Sequence, residues 1–170
     1  MTSRELFNGI YDGYFPKIYA YFSACFGRDV AEDLSQQTFL KIWRQISFSD
    51  FQKPEHILAW AFKIAINIKN DFFRSKYRRP QTEELADSLG AEAGTENSVS
   101  DQKLSIEKAF SLIKPEEKEL LLLKGSGLNS EEIGAVRGIS GSAVRSRLST
   151  ARKHLAKALA DCGVNVDESK

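Results

Sequence analysis

The chain has 170 residues, 42% of them hydrophobic, and its 24 basic and 23 acidic side chains leave a formal net charge of +1. This length suits one ordinary domain or two small ones, and the composition excludes collagen-like and disordered chains. The longest aliphatic run is the leucines at 120–123, far short of the ~20 apolar residues of a membrane helix, and no apolar signal-peptide segment follows Met1. Cys25 and Cys162 provide neither a disulfide framework nor a four-ligand zinc site, so we expect a cytoplasmic protein.

The net charge is distributed in blocks along the chain. Residues 1–80 carry +4, residues 81–105 carry −5, residues 106–160 carry +4 and residues 161–170 carry −2. The acidic block contains no aromatic residue, and all but one of the 18 aromatic residues precede it. Such a segment cannot bury enough apolar surface to offset the entropy of ordering its backbone. We therefore predict two small basic domains joined by a flexible acidic linker and followed by a short tail, over these four ranges.

Both domains are predicted to be all-α, because alternating β-branched runs and hairpin turn signals are nearly absent. In the first domain, Phe39, Ile42, Trp43 and Ile46 recur at i, i+3, i+4 and i+7, which is one face of a helix. Pro54 is predicted to open the next helix as its first-turn proline. That helix carries a long apolar stripe made of Ile57, Ala61, Ile64, Ala65, Ile68 and Phe72.

Two polar surfaces accompany these stripes. Beside the first stripe lie Asp33, Gln36, Gln37 and Trp43, which taken alone are typical of an ordinary helix surface. Opposite the second stripe lie Trp60, Lys63, Asn67, Asn70 and Arg74, followed by the basic residues Lys76, Arg78 and Arg79. Basic, amide and aromatic side chains in this combination suit a nucleic acid with unstacked bases. The same basic residues could equally satisfy the carbonyl groups at a helix C-terminus.

A helix-turn-helix is predicted at 129–148. Asn129 with Glu132 forms a capping box that opens a short helix, and Gly138 suits its left-handed end. Ile139 is then predicted to insert into the core at the turn, and Ser140 to cap the second helix.

The second helix of this motif has one apolar and one basic side. Its apolar face consists of Val144, Leu148, Ala151, Leu155 and Leu159, and away from that face lie Arg145, Arg147, Arg152 and Lys153. A recognition helix needs this arrangement, because its N-terminal side chains enter the DNA major groove while its apolar face stays on the domain. The alternative is an ordinary helical hairpin with solvated arginines.

Three ordered segments together resemble one protein family. Residues 31–43 read Ala-Glu-Asp-Leu-Ser-Gln-Gln-Thr-Phe-Leu-Lys-Ile-Trp, and residues 59–74 read Ala-Trp-Ala-Phe-Lys-Ile-Ala-Ile-Asn-Ile-Lys-Asn-Asp-Phe-Phe-Arg. The first resembles region 2.2 and the second regions 2.3–2.4 of bacterial sigma factors of the extracytoplasmic-function (ECF) group. Residues 112–120 and the helix-turn-helix resemble region 4 of that family. The resemblance implies a region 2 helical bundle, a linker and a region 4 helix-turn-helix.

The resemblance also implies roles for individual residues. Binding to the β′ clamp helices of core RNA polymerase is implied for Asp33, Gln36, Gln37, Phe39 and Trp43. Recognition and opening of the −10 element is implied for Trp60, Lys63, Asn67, Asn70, Arg74, Lys76, Arg78 and Arg79, with the loop 47–55 holding a flipped base. Recognition of the −35 element is implied for Ser142, Arg145, Ser146, Arg147, Ser149, Thr150 and Arg152.

The sequence departs from the family pattern at four of these or neighbouring positions. Gln37 stands where an acid is usual, and Ser149 and Thr150 replace larger, often basic residues, so the −35 base preference cannot be transferred. Gly134 stands where alanine is usual, which costs up to ~1 kcal/mol of helix propensity.

The resulting hypothesis is an alternative sigma factor that directs core RNA polymerase to specific promoters. The partners it implies are core polymerase (β′ clamp helices and β flap), promoter DNA and an anti-sigma protein, with no small-molecule substrate. No nucleotide, metal or catalytic motif is present in the sequence, so we expect neither a cofactor, a metal site nor an enzyme. The main alternative is a sigma mimic that sequesters an anti-sigma protein without binding DNA. A dimeric repressor lacks an obvious dimerisation helix.

Overall fold

The structure, a computed structural model, describes residues 1–78 and 101–164. Within these ranges the chain forms seven α-helices and no strand. The whole chain divides into two units, residues 1–93 and 94–170. The prediction of an all-α protein with two small helical domains is confirmed. None of the helices in the described ranges has the length and apolarity needed to cross a membrane.

The first unit contains helices α1 (Ser3–Phe26), α2 (Arg28–Ile46) and α3 (Ile57–Arg78). Thr2 and Glu5 form a capping box at the start of α1, in which each side chain accepts a hydrogen bond from the other residue's backbone N–H. Gly27 alone joins α1 to α2, with φ at +91° and ψ at 177°. Only glycine adopts this conformation routinely, so this one residue permits the two helices to fold back on each other.

The core of the first unit lies where the apolar stripes of the three helices meet. Helix α1 packs along α2, and α3 packs against both. The side chains that are almost fully buried there include Ile18, Tyr21, Phe22, Leu34, Ile42, Ile46 and Phe62. The stripe predicted for α3 is confirmed in its central part, since Ala61, Ile64, Ala65 and Ile68 are buried.

The prediction that Pro54 opens helix α3 is wrong. The helix begins at Ile57, and its first backbone hydrogen bond runs from the N–H of Trp60 to the carbonyl of His56 at 3.0 Å. Pro54 lies in the preceding loop, where its fixed φ and missing N–H suit an irregular segment as well as a helix start.

The second unit contains helices α4 (Asp101–Leu112), α5 (Pro115–Gly125), α6 (Ser130–Arg137) and α7 (Gly141–Asp161). Helix α7 is central and contacts the other three. Helix α4 begins at Asp101, inside the segment predicted as linker up to residue 105. Ala109 of α4 and Ile113, which directly follows α4, pack with Ala158 of α7 and with the half-buried Leu155 and Leu159.

The helix-turn-helix is formed by α6 and α7, and its predicted local signals are confirmed. Asn129 and Glu132 bond reciprocally at 2.8 and 3.0 Å, and Gly138 is left-handed with φ at +75°. Ser140 caps α7 by accepting a hydrogen bond from the N–H of Ala143 at 3.0 Å. Ile139, which was predicted to insert into the core, is only half-buried. The tight turn instead brings its carbonyl onto α6, where a Cβ at Gly134 would lie 2.5 Å from that oxygen.

Candidate functional site

An open groove of about 530 Å³ lies between α1 and α2 and is lined mainly by apolar side chains. Helix α2 contributes Gln36, Phe39, Leu40 and Trp43, and helix α1 contributes Arg4, Phe7, Asn8 and Tyr11. Leu40 is 50% exposed, Tyr11 39% and Trp43 37%. Contiguous exposed apolar side chains of this kind mark a surface for a protein partner. We call these eight residues the α1–α2 groove.

The residues predicted to bind polymerase divide between this groove and its edge. Trp43 is an exposed wall of the groove, held by an edge-to-face contact with the ring of Phe7 at 5.3 Å. Gln36 also lines the groove, whereas Asp33 and Gln37 lie exposed beyond it and bond to each other at 2.7 Å. Phe39 is only 2% exposed, so its ring forms the floor of the groove and offers little surface to a partner.

Sequence analysis missed four groove residues of α1 and also Leu40. Three of them, Phe7, Tyr11 and Leu40, supply much of the apolar surface. Leu40 shares an outward face with Gln36 and Trp43 at helical spacing, so an apolar residue among polar ones was an available signal. The α1 residues carried no comparable signal, since their role depends on how α1 packs on α2.

Four of the predicted −10 residues of α3 form one continuous exposed stripe. Lys63, Asn67, Asn70 and Arg74 are all exposed and follow one another at alternating spacings of four and three residues, which keeps them on one helix face. Arg74 pairs with Asp71 at 3.1 Å, and both side chains are about two-thirds exposed. The stripe therefore presents cations and amides to solvent along three turns of the helix.

Aromatic residues flank the α3 stripe at both ends. Trp60 is half-buried and contacts the ring of Phe51 at 5.6 Å, so it is partly committed to the loop before α3. In that loop Phe48 is 67% exposed, a feature that sequence analysis did not single out. At the other end the ammonium group of Lys76 lies 5.5 Å from the ring centre of Phe72, and burial lowers the pKa of Lys76.

Two residues predicted to bind the −10 element lie partly or wholly outside the described structure. Arg78 is the last residue of α3, but its side chain is outside the described part, and Arg79 lies outside the described residues altogether.

The predicted −35 residues are all exposed on α7, but they occupy three strips of its surface rather than one. Because Val144, Leu148 and Ala151 are buried, helical geometry places Ser142, Ser146 and Ser149 opposite them, on the outermost strip. Arg145 and Arg152 occupy one flank. Arg147 and Thr150 occupy the other flank. Lys153, which is also exposed, lies on the outermost strip instead.

On the Arg147 flank, α7 faces α5 across a polar cleft of about 270 Å³. Two side-chain contacts cross the helices here, one between a histidine and a glutamate and one ion pair between an arginine and a glutamate. His154 Nδ1 of α7 lies 2.6 Å from Glu117 Oε2 of α5, and Arg137 Nη1 of α6 lies 2.5 Å from Glu119 Oε2 of α5. The carboxylates of both pairs are largely buried, so they fasten α5 to the helix-turn-helix from inside.

On the opposite flank, Arg145 is held by an acidic residue of α6. Its Nη1 donates a hydrogen bond to Glu131 Oε1 at 2.7 Å, and this hydrogen bond lowers the pKa of the Glu131 carboxyl below its ordinary value. Both side chains remain more than half exposed. Sequence analysis did not identify this pair, which lies 14 residues apart along the chain.

The two units match two parts of one protein family. Residues 10–79 match the family Sigma-70 region 2, and residues 103–155 match Sigma-70, region 4. RNA polymerase sigma factor CarQ of Myxococcus xanthus is 30% identical over 139 residues, which make up 81% of this chain and 79% of CarQ. This chain belongs to the sigma-70 family.

Further similarities place this sigma factor in the ECF group. ECF RNA polymerase sigma factor BldN of Streptomyces coelicolor is 29% identical over 163 residues, which cover 92% of this sigma factor and 61% of BldN. Among solved structures, the sigma factor RpoE of Bartonella quintana, crystallised with the anti-sigma factor NepR, superposes with a TM-score of 0.71 at 25% identity. That match covers 92% of this sigma factor and 98% of RpoE.

The chain matches only part of several relatives. It spans 33%, 61% and 52% of the length of three curated relatives that it matches. The first unit, with the α1–α2 groove and the α3 stripe, corresponds to region 2. The second unit, with the helix-turn-helix, corresponds to region 4.

Proposed function

We propose that this protein is a promoter-specificity subunit, which binds core RNA polymerase and directs it to a defined set of promoters. The observation that carries the proposal is the presence, in one sigma-family chain, of the exposed α3 stripe and the exposed basic recognition helix α7. A chain with both surfaces can contact two separate elements of one promoter. It would act by binding and positioning rather than by catalysing a reaction, in the cytoplasm where transcription takes place.

The α1–α2 groove is the proposed docking surface for the polymerase β′ clamp helices. A helical partner can insert apolar side chains between Leu40, Trp43 and Tyr11, all of which are exposed in the free protein. Gln36 and the hydrogen-bonded pair of Asp33 and Gln37 would supply the polar rim. Binding of the β flap by the second unit is part of the same proposal.

The α3 stripe and the loop before α3 are the proposed −10 reader. Lys63 and Arg74 can contact phosphates, and the amides of Asn67 and Asn70 can hydrogen-bond base edges that are no longer paired. Phe48, at 67% exposure, offers a free aromatic face on which an unstacked base could lie.

Helix α7 is the proposed −35 reader. Its capped N-terminus and the exposed Ser142, Arg145 and Ser146 would enter the major groove, while Arg147 and Arg152 flank it toward the phosphates. An anti-sigma protein is a further proposed partner, because the similar RpoE was crystallised with one.

The proposal is tested by mixing the purified chain with core polymerase and a pool of genomic fragments, then sequencing the transcripts. Transcripts that begin at a shared promoter sequence are the expected result, and a pool without chain-dependent transcripts would refute the proposal. Leu40→Glu should abolish transcription, since it places a charge in the groove. Ala20→Glu is the matched control, because Ala20 is an exposed α1 residue outside the groove.

A second comparison separates a promoter reader from a sigma mimic. Charge reversal of Arg145 and Arg147 to glutamate should eliminate transcription, because both lie on the proposed DNA-binding side of α7. Lys157→Glu, an equal charge change at an exposed residue of the same helix, serves as the control. A sigma mimic predicts instead that neither the unaltered chain nor the variant supports transcription, so transcripts that are lost only in the Arg145 and Arg147 variant favour the promoter reader.

A further inference from the structure

The contact between Arg145 and Glu131 joins the recognition helix to the helix that precedes it. Their side chains meet at 2.7 Å, although they are 59% and 69% exposed. Ion pairs at this exposure contribute little to stability, because water screens them and two flexible side chains must be ordered. Stability alone therefore does not account for this contact, and a role of the pair in DNA binding is the alternative.

Gly141, the first residue of α7, makes room for this contact. A Cβ at position 141 would lie 2.6 Å from Oε1 of Glu131 and 3.0 Å from its Cδ. The Glu131 carboxyl thus occupies the space that any larger residue at position 141 would fill. The oxygen concerned is the one that accepts the hydrogen bond from Arg145, so the carboxyl group lies against the first turn of α7 although the side chain is 69% exposed.

We propose that Glu131 is a positioning residue for DNA recognition, which holds the Arg145 guanidinium at the N-terminal part of the recognition helix. The inference rests on the proposed function. Glu131 takes one side of the guanidinium, at Nη1, and arginine retains further N–H donors that can reach a base edge. An arginine already fixed by a carboxylate loses less freedom when it binds, so its contact becomes more selective for geometry.

The negative charge of Glu131 has a second consequence. It neutralises part of the Arg145 charge locally, and it therefore weakens attraction to phosphates, which is independent of sequence and sensitive to salt. The pair should thus favour base reading over phosphate binding at this position. Removing the carboxylate should raise non-specific affinity and lower specificity together.

The test uses the holoenzyme formed from the full chain and core polymerase, with a promoter library randomised at the −35 element. Bound and unbound DNA are sequenced, and affinity for selected and scrambled −35 sequences is measured at several salt concentrations. The variants are Glu131→Ala, Glu131→Gln, Gly141→Ala and Arg145→Ala. Glu107→Ala is the control, since Glu107 is an exposed acid of α4.

For Glu131→Ala we expect the preference for selected over scrambled −35 sequences to fall by about 3- to 10-fold. This is less than the discrimination that a well-placed base contact usually provides, because Arg145 itself remains. The slope of log affinity against log salt should steepen by up to ~1 as Arg145 gains phosphate contact. Gly141→Ala should cause part of this loss, because the new Cβ pushes the flexible end of Glu131 aside while both charges stay in place. Glu131→Gln, which keeps an acceptor oxygen, should fall between Glu131→Ala and the unaltered chain.

Coupling between the positions gives a further check. If Gly141 acts through Glu131, the double variant should lose no more specificity than Glu131→Ala alone. The inference would be overturned, with the proposed function intact, if Glu131→Ala changed neither the specificity nor the salt slope, or if Arg145→Ala left the specificity unchanged. If the holoenzyme with the unsubstituted chain selected no −35 sequence, both the inference and the proposed function would be overturned.

Discussion

Arg137, the last residue of α6, and Glu119 of α5 form an ion pair at 2.5 Å that links the helix-turn-helix to the rest of the second unit. The Glu119 side chain is 8% exposed and that of Arg137 29%. In Arg137→Ala the carboxylate loses its cation while it remains largely buried. Breaking a buried pair costs about 3–5 kcal/mol, and because water can enter where Arg137 was exposed, we expect a loss of about 2–3 kcal/mol.

The free energy should be measured by hydrogen exchange at increasing urea, followed in peptides that cover residues 115–137. Fluorescence cannot report on this unit, since both tryptophans and all five tyrosines lie at or before Tyr77. Arg145→Ala is the control within the same unit, because the pair of Arg145 with Glu131 is more than half exposed and should contribute little to stability.

A second variant tests the physical reason for the loss. Replacing Glu119 by glutamine in the Arg137→Ala background removes the buried negative charge that has lost the Arg137 guanidinium, and should restore part of the lost stability. The reasoning fails if Arg137→Ala costs no more stability than the Arg145→Ala control, or if the added Glu119→Gln substitution restores nothing.

Three further substitutions test the fold and the two region 2 surfaces. Gly134→Ala should destabilise the second unit by about 1–3 kcal/mol in hydrogen exchange, because the new Cβ would clash with the Ile139 carbonyl and the cost of this clash exceeds the gain in helix propensity. A stabilised variant would contradict this. Trp43→Ala should weaken binding to fluorescently labelled core polymerase at least 10-fold with unchanged helical circular dichroism, since it removes a wall of the α1–α2 groove. Lys63→Ala should reduce the salt slope of promoter binding by about 1, whereas an unchanged slope would show that Lys63 contacts no phosphate.

The helix-turn-helix could be predicted almost residue by residue because its signals are local. A capping box, a left-handed glycine and an N-cap serine each act within four residues, and each has one favoured geometry. The wrong prediction for Pro54 has the opposite origin. Proline is compatible with both a first helical turn and a loop, so its presence alone does not decide between them.

The α1–α2 groove and the Glu131–Arg145 pair could not be predicted in the same way. Both depend on side chains brought together by packing between helices, and no periodicity within a single helix encodes them. The exposed α3 stripe lies between these cases. Its spacing is visible in the sequence, and the structure adds that Trp60, unlike Lys63 and Asn67, is half-buried against Phe51.

The one-residue connection at Gly27 affects the order in which the protein acquires its surfaces. The α1–α2 groove is built entirely from an antiparallel helical hairpin that closes at this glycine, and Ser3 of the first helix already reaches the Ile46 carbonyl at its far end. Contacts this local form quickly, and N-terminal segments fold first during synthesis. The groove proposed to bind polymerase can therefore form on the ribosome once residue 46 has emerged, before either of the helices proposed to read DNA has been made. On the proposed function, a nascent chain would be competent to bind polymerase before it can read a promoter.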